Sequence, residues 1–187
     1  GTVYSWTNNT PSIGLAASGT GDIASFTAVN TGTTPVVATI TVTPSANGCS
    51  GTPRTFTITV NPTPTVNAVS NQVICNGSNT TAVAFSGAVT GTVYSWTNNT
   101  TSIGLAASGT GNIASFAAVN TGTTPVTATI TVTPSYTNGG VTCTGTPTTF
   151  TITVNPTPTV NVVANQVLCN GSNTTAVTFT GAVAGTV

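Results

Sequence analysis

Gly1–Ser45 recurs at Gly91–Ser135 with four substitutions: Pro11/Thr101, Asp22/Asn112, Thr27/Ala117 and Val37/Thr127. Thr52–Val93 recurs at Thr146–Val187 with seven. A chain that repeats itself this closely builds nearly the same unit each time, so its architecture is bounded by what one repeat can fold into. The offset is 90 residues from Gly1 to Gly91 and 94 from Thr52 to Thr146, because Ala46–Ser50 gives way to the longer Tyr136–Thr144. Length change is thus confined to one loop. The sequence opens on Gly1-Thr2-Val3 and closes on Gly185-Thr186-Val187, two periods plus an overlap. A window onto a longer tandem array, with both ends inside a domain, is the expectation.

The boundary between units is written in Thr55–Val66, which returns unchanged at Thr149–Val160. Phe56, Ile58 and Val60 alternate with Thr55, Thr57 and Thr59, the period-two pattern of a half-buried strand. The strand runs into Asn61-Pro62-Thr63-Pro64, where two prolines lack backbone donors and hold φ near the polyproline value, so sheet pairing stops. Pro156 and Pro158 do the same in the second copy. The partition is therefore a partial repeat at 1–60, a connector at 61–66, a complete repeat at 67–154, a connector at 155–160 and a partial repeat at 161–187.

Within the complete repeat, strands are expected near Ala68–Ile74, Thr80–Ser86, Thr92–Thr97, Ile113–Val119, Val126–Thr133 and Thr148–Val154, with a short region at Ile103 and Leu105. Turns fall at Cys75–Ser78, Asn120–Pro125 and a loop around Asn138-Gly139-Gly140. No segment sustains a helical period. Seven short strands in about 90 residues predict an all-β chain of tandem immunoglobulin-like antiparallel sandwiches. The core is expected to hold Trp6, Trp96, Phe56, Phe85 and Phe150.

Only Asp22 and Arg54 carry charge, and the chain has no His, Lys or Met. General acid–base catalysis and base-activated nucleophiles both need groups that are missing, so no enzyme is expected. Calcium sites need several oxygen ligands, usually carboxylates, and no cofactor or metal is expected. A Lys–Asn isopeptide staple is excluded for want of Lys. Without a basic footprint, nucleic acid is not an expected partner, and no apolar run approaches the ~20 residues of a membrane span. Asp22 and Arg54 read as solvated surface residues.

Each repeat places one cysteine after its first strand (Cys75, Cys169) and one in the late loop (Cys49, Cys143). In a sandwich these positions lie at opposite poles, roughly 25 Å apart, too far for a disulfide. Three arrangements stay open: a bridge from Cys75 to the next unit's late-loop cysteine across the connector, a bridge inside one domain, or unpaired thiols. The tryptophans suggest sugar stacking, but a strand tryptophan in this sandwich is ordinarily core. Outward threonines, Thr39, Thr41 and Thr43 beside Thr55, Thr57 and Thr59, offer a hydroxyl surface for ice or polysaccharide, or simply polar β-branched residues in place of charge. Asn8, Asn76, Asn79 and Asn98 sit in glycosylation sequons.

The stretches Cys75-Asn76-Gly77, Thr92–Asn98, Ser102–Gly111 and Gly145-Thr146-Pro147 through Pro156 resemble the PKD-like repeats of very large bacterial surface proteins. Trp96-Thr97-Asn98-Asn99 stands where ordinary PKD domains carry Trp-Asp-Phe-Gly-Asp-Gly, so the acidic pair of that motif is absent. The resemblance implies export by the type IX pathway and kinship with gliding-motility adhesins at the bacterial cell surface. The expected function is a structural spacer in a long extracellular adhesin or filament. The alternatives are a multivalent weak glycan-binding module and a self-assembling fibre subunit. Expected partners are neighbouring repeats, other copies in a filament, or surface polysaccharide.

Overall fold

The computed structural model describes residues 1–185; Thr186 and Val187, the end of the expected 161–187 partial repeat, lie outside them. The described residues form an immunoglobulin-like β-sandwich chain, with helix limited to single 3-10 turns at Pro11–Ile13 and Thr101–Ile103. No helix among them is long and apolar enough to cross a membrane. The chain divides into two compact units, one of Gly1–Asn67, Ser86–Tyr94 and Thr133–Pro147, the other of Ala68–Phe85, Ser95–Val132 and Thr148–Val187.

The first copy contributes β1 (Val3–Asn8), β2 (Ser18–Thr20), β3 (Val36–Ala46), β4 (Cys49–Ser50) and β5 (Arg54–Val60). They form an antiparallel sheet in which β1 lies between β2 and β3, while β4 and β5 share the other edge of β3. The second copy repeats the plan with β7 (Val93–Asn98), β8 (Ser108–Thr110), β9 (Val126–Asn138), β10 (Val141–Thr144) and β11 (Thr148–Asn155). It adds β6 (Gln72–Cys75), which runs parallel to β11.

Alternation places Ala128, Ile130 and Val132 of β9 and Phe150, Ile152 and Val154 of β11 inward, with Ile130 opposite Phe150 and Ala128 opposite Ile152. The threonines between them face outward, and Thr127 and Thr153 join hydroxyls at 2.9 Å. Below the sheet, the 3-10 turn buries Ile103 and ends on Gly104, whose φ of 95° only glycine adopts readily. Trp96 lies on Gly109, where a side chain would overlap the indole; Trp6 and Gly19 repeat the arrangement.

Several expectations are corrected. The strand expected at Ala68–Ile74 forms only at Gln72–Cys75. Thr80–Ser86 and Ile113–Val119 build no continuous ladder, and only isolated bridges, Asn79 to Ala117 and Val83 to Ile113, join this region. Side chains take two of the backbone donors there: Thr80 Oγ1 accepts the Phe116 N–H at 3.1 Å, and Asn112 Oδ1 accepts that of Phe85 at 3.0 Å, while the Thr80, Val83, Ile113 and Ala118 amides still reach backbone carbonyls. The loop around Asn138-Gly139-Gly140 is a tight hairpin turn, with both glycines at positive φ (58° and 77°). Phe56, expected in the core, is 46% exposed, while its counterpart Phe150 is 2% exposed. The ring that covers Phe150 belongs to Phe85, and nothing in the described first copy stands in that place.

Two substitutions test this packing. Phe150→Ala is expected to lower stability by about 3–5 kcal/mol, whereas Phe56→Ala should cost less than about 1 kcal/mol; urea melts followed by tryptophan fluorescence measure both. Gly109→Ala should cost about 1–3 kcal/mol by overpacking, because the added methyl would overlap the Trp96 indole.

Candidate functional site

The surface with most to offer is the seam where residues 68–85 close the second copy. β6 pairs with β11 from Gln72 opposite Ile152 to Cys75 opposite Asn155. Asn71 Oδ1 accepts the Thr151 N–H at 2.8 Å, and the Asn76 N–H reaches the Asn155 carbonyl at 2.8 Å. Asn76 Oδ1 then accepts the Asn120 N–H at 2.8 Å, while Asn120 Nδ2 donates to the Thr124 and Val154 carbonyls at 2.8 and 2.7 Å. Thr80 is bonded through its amide, carbonyl and hydroxyl, to Phe116 and Ser115. The rings of Phe85 and Phe150 meet at 6.5 Å and 57°, a tilted arrangement favoured by their quadrupoles.

Residues 161–180 repeat this closing segment and keep its local geometry. Gln166 and Thr175 exchange two hydrogen bonds at 2.8 Å, as Gln72 and Thr81 do at 2.9 Å. Asn161 is bonded to Thr180 through backbone and side chain, matching Asn67 and Ser86. Their apolar side chains, however, are open: Phe179 is 71% exposed against 8% for Phe85, and Val177 44% against 6% for Val83. Among the described residues Phe56 on β5 is likewise open, whereas its counterpart Phe150 is covered by Phe85.

The first connector is not a free tether. Pro62 and Pro64 are fully buried. The Pro64 carbonyl occupies the space a side chain at Gly145 would need, and the Thr65 carbonyl does so at Gly87. Asn61 and Asn138 exchange two bonds: Asn61 Nδ2 to the Asn138 carbonyl at 3.1 Å and Asn138 Nδ2 to Asn61 Oδ1 at 2.8 Å. Asn138 exists because of the longer loop. In the first copy the hairpin closes at Ala46 opposite Cys49, whereas in the second Tyr136 opposite Cys143 is followed by two more cross-strand pairs, ending at Asn138 opposite Val141. In the second connector Pro156 is buried and Pro158 exposed.

The remaining sequence candidates separate cleanly. All four cysteines are free, with Cys49, Cys75 and Cys169 exposed and Cys143 partly buried. Cys143 registers beside Tyr136 and Cys75 beside Asn155, toward opposite ends of the β9 ladder, so the bridge inside one domain does not form. Trp6 and Trp96 are 7% exposed, which closes their faces to sugars, and neither indole N–H has a hydrogen-bond partner. Thr39 faces Thr57 and Thr41 faces Thr55, giving a partly exposed hydroxyl strip. Asn8 and Asn98 are poor sequons because both are buried, with Nδ2 donating to the Leu15 and Leu105 carbonyls at 3.0 Å. Among the described residues no three His, Cys, Asp or Glu gather as a metal-binding group. Sequence reading missed the buried asparagines Asn98 and Asn120; their signal was position, each standing where a strand or extended segment enters a turn.

A family model for the PKD-like domain matches residues 1–64 and 72–158. No curated protein matches the chain. The matched segments take in both connector prolines of the first copy, the β6 seam and all of β7 to β11. The chain belongs to the PKD-like domain family.

Proposed function

We propose that the chain is a spacer: a run of extracellular PKD-like modules that holds a terminal binding domain of a bacterial surface adhesin or filament away from the cell. The observation that carries this reading is the first connector, buried at Pro62 and Pro64 and held by the Asn61–Asn138 pair. A tether that transmits force gains from linkers that bend little, and proline-rich segments are already stiff before they are packed. With one Asp and one Arg, the surface offers no charge-based recognition and no catalytic acid or base. The buried tryptophans leave a glycan-binding reading without its aromatic platform.

Stiffness is directly measurable. With Cys75 and Cys169 replaced by Ser, spin labels at Cys49 and Cys143 are expected to give a narrow distance distribution in double electron–electron resonance. Asn61→Ala should broaden it by removing both bonds to Asn138. The distribution should hardly change between 10 mM and 1 M salt, because there is almost no charge to screen. A broad distribution in the parent chain, or strong binding of it on a glycan array, would replace the spacer reading.

A further inference from the structure

The two hairpins that follow β3 and β9 differ in length, and with length they differ in chemistry. β3 and β4 are joined by Asn47 and Gly48 alone, between Ala46 and Cys49. Both residues stand at positive φ, 51° and 80°, the two-residue turn that Asn-Gly favours. Asn47 is the one non-glycine residue with positive φ among those described. Neither its side chain nor the Gly48 amide has a hydrogen-bond partner among the described residues, and the space around Gly48 is open. We infer that Asn47-Gly48 is a site of spontaneous covalent modification, where the backbone itself converts the asparagine to an aspartyl or isoaspartyl residue. This chemistry does not depend on the spacer reading.

The step is a cyclisation followed by hydrolysis. The Gly48 nitrogen gives its proton to hydroxide and attacks Asn47 Cγ; the new bond closes a succinimide ring while the bond to Nδ2 breaks, releasing ammonia. Water then opens the ring at either carbonyl, leaving aspartate or a linkage in which the main chain runs through the former side chain. Water is the only co-reactant. Both products add a carboxylate to a chain that has one Asp and one Arg, so the formal net charge falls from zero to minus one.

Three observations single out Asn47. First, ring closure turns the Asn47 backbone out of its tight turn, so the hairpin must open, and the first hairpin opens easily. β4 is held by two cross-strand pairs, Ser45 with Ser50 and Ala46 with Cys49. β10 is held by four, reinforced by the Thr137–Thr142 hydroxyl bond at 2.8 Å. Second, the corresponding groups are occupied elsewhere. Asn138 Nδ2, ahead of Gly139, donates to Asn61 Oδ1 at 2.8 Å. At Asn76-Gly77 the nucleophile itself is engaged: the Gly77 N–H donates to the Ala118 carbonyl at 2.8 Å, while Asn76 Oδ1 accepts the Asn120 N–H at 2.8 Å. Third, the openness of Asn47 follows from the length of its own hairpin. Its place in the ladder corresponds to Thr137 and Thr142 of the second copy, and both are exposed although Asn138, one rung further, is bonded to Asn61.

Incubation of the 187-residue chain at 37 °C and pH 8 in water enriched in oxygen-18, followed by digestion and mass spectrometry, reads each site separately. Trypsin cuts at Arg54 alone and releases residues 1–54, in which Asn47-Gly48 is the one Asn-Gly pair; chymotrypsin resolves Asn76 and Asn138. In the folded chain Asn47 should react at least about tenfold faster than Asn76 or Asn138. The heavy oxygen should enter its new carboxylate, isoaspartate should be among the products, and the rate should rise from pH 7 to pH 9. In 8 M urea the three rates should converge, since each asparagine precedes a glycine. An Asn47 that stays intact in the folded chain, equal rates at the three sites before unfolding, a rate indifferent to pH, or a tenfold difference that survives in urea would each overturn the proposal.

Discussion

The second copy depends on a segment of about twenty residues crossing the open edge of its sheet. β9 and β11 make a well-formed antiparallel pair, but one sheet does not exclude water from a phenylalanine at its centre. Phe150 becomes core only when Phe85 lies over it and β6 continues the sheet past β11. Among the described residues nothing lies over the first copy's strands in this way, and Phe56 is half exposed. Two nearly identical sequences in one chain thus isolate what the closing segment contributes.

That closure is achieved almost without charge. Asparagine and threonine do the work that ion pairs share in most extracellular domains. Asn120 gathers carbonyls from its own turn and from β11, Asn76 caps the Asn120 amide, and Thr80 fastens the segment to Ser115 and Phe116. Such bonds are short-ranged and insensitive to salt, and each contributes about 1 kcal/mol when formed but leaves a costly orphan when broken. Specificity therefore rests on geometry. The same chemistry governs the connector, where four extra residues lengthen a hairpin by two rungs and carry Asn138 to Asn61.

Much of this was legible in the sequence. Alternation of Phe, Ile and Val with Thr identified β5, β9 and β11, and the prolines marked where β5 and β11 end, whereas β9, expected to stop at Thr133, runs on through Pro134 to Asn138. The fold class followed from strand count and spacing, and Trp96 in the core from its strand position. Less legible were the stretches where side chains replace the sheet ladder. Thr80–Ser86 and Ile113–Val119 alternate as strands should, yet the amides of Phe116 and Phe85 are taken by the side chains of Thr80 and Asn112, a choice that no periodicity reveals. Exposure of Phe56 was hidden for another reason: its pattern matches Phe150, and only the absence of a partner ring distinguishes them. The connector's burial was also invisible, since Pro62 and Pro64 read equally well as a solvated linker.

Amide hydrogen exchange tests the role of the closing segment most directly. Thr151 donates to Asn71 of the segment, while its counterpart Thr57 faces the open edge of β5. In dilute solution the Thr151 amide should be protected at least about 100-fold more than that of Thr57, and Phe85→Ala should erase most of the difference. Equal protection of the two amides in the parent chain would contradict the account.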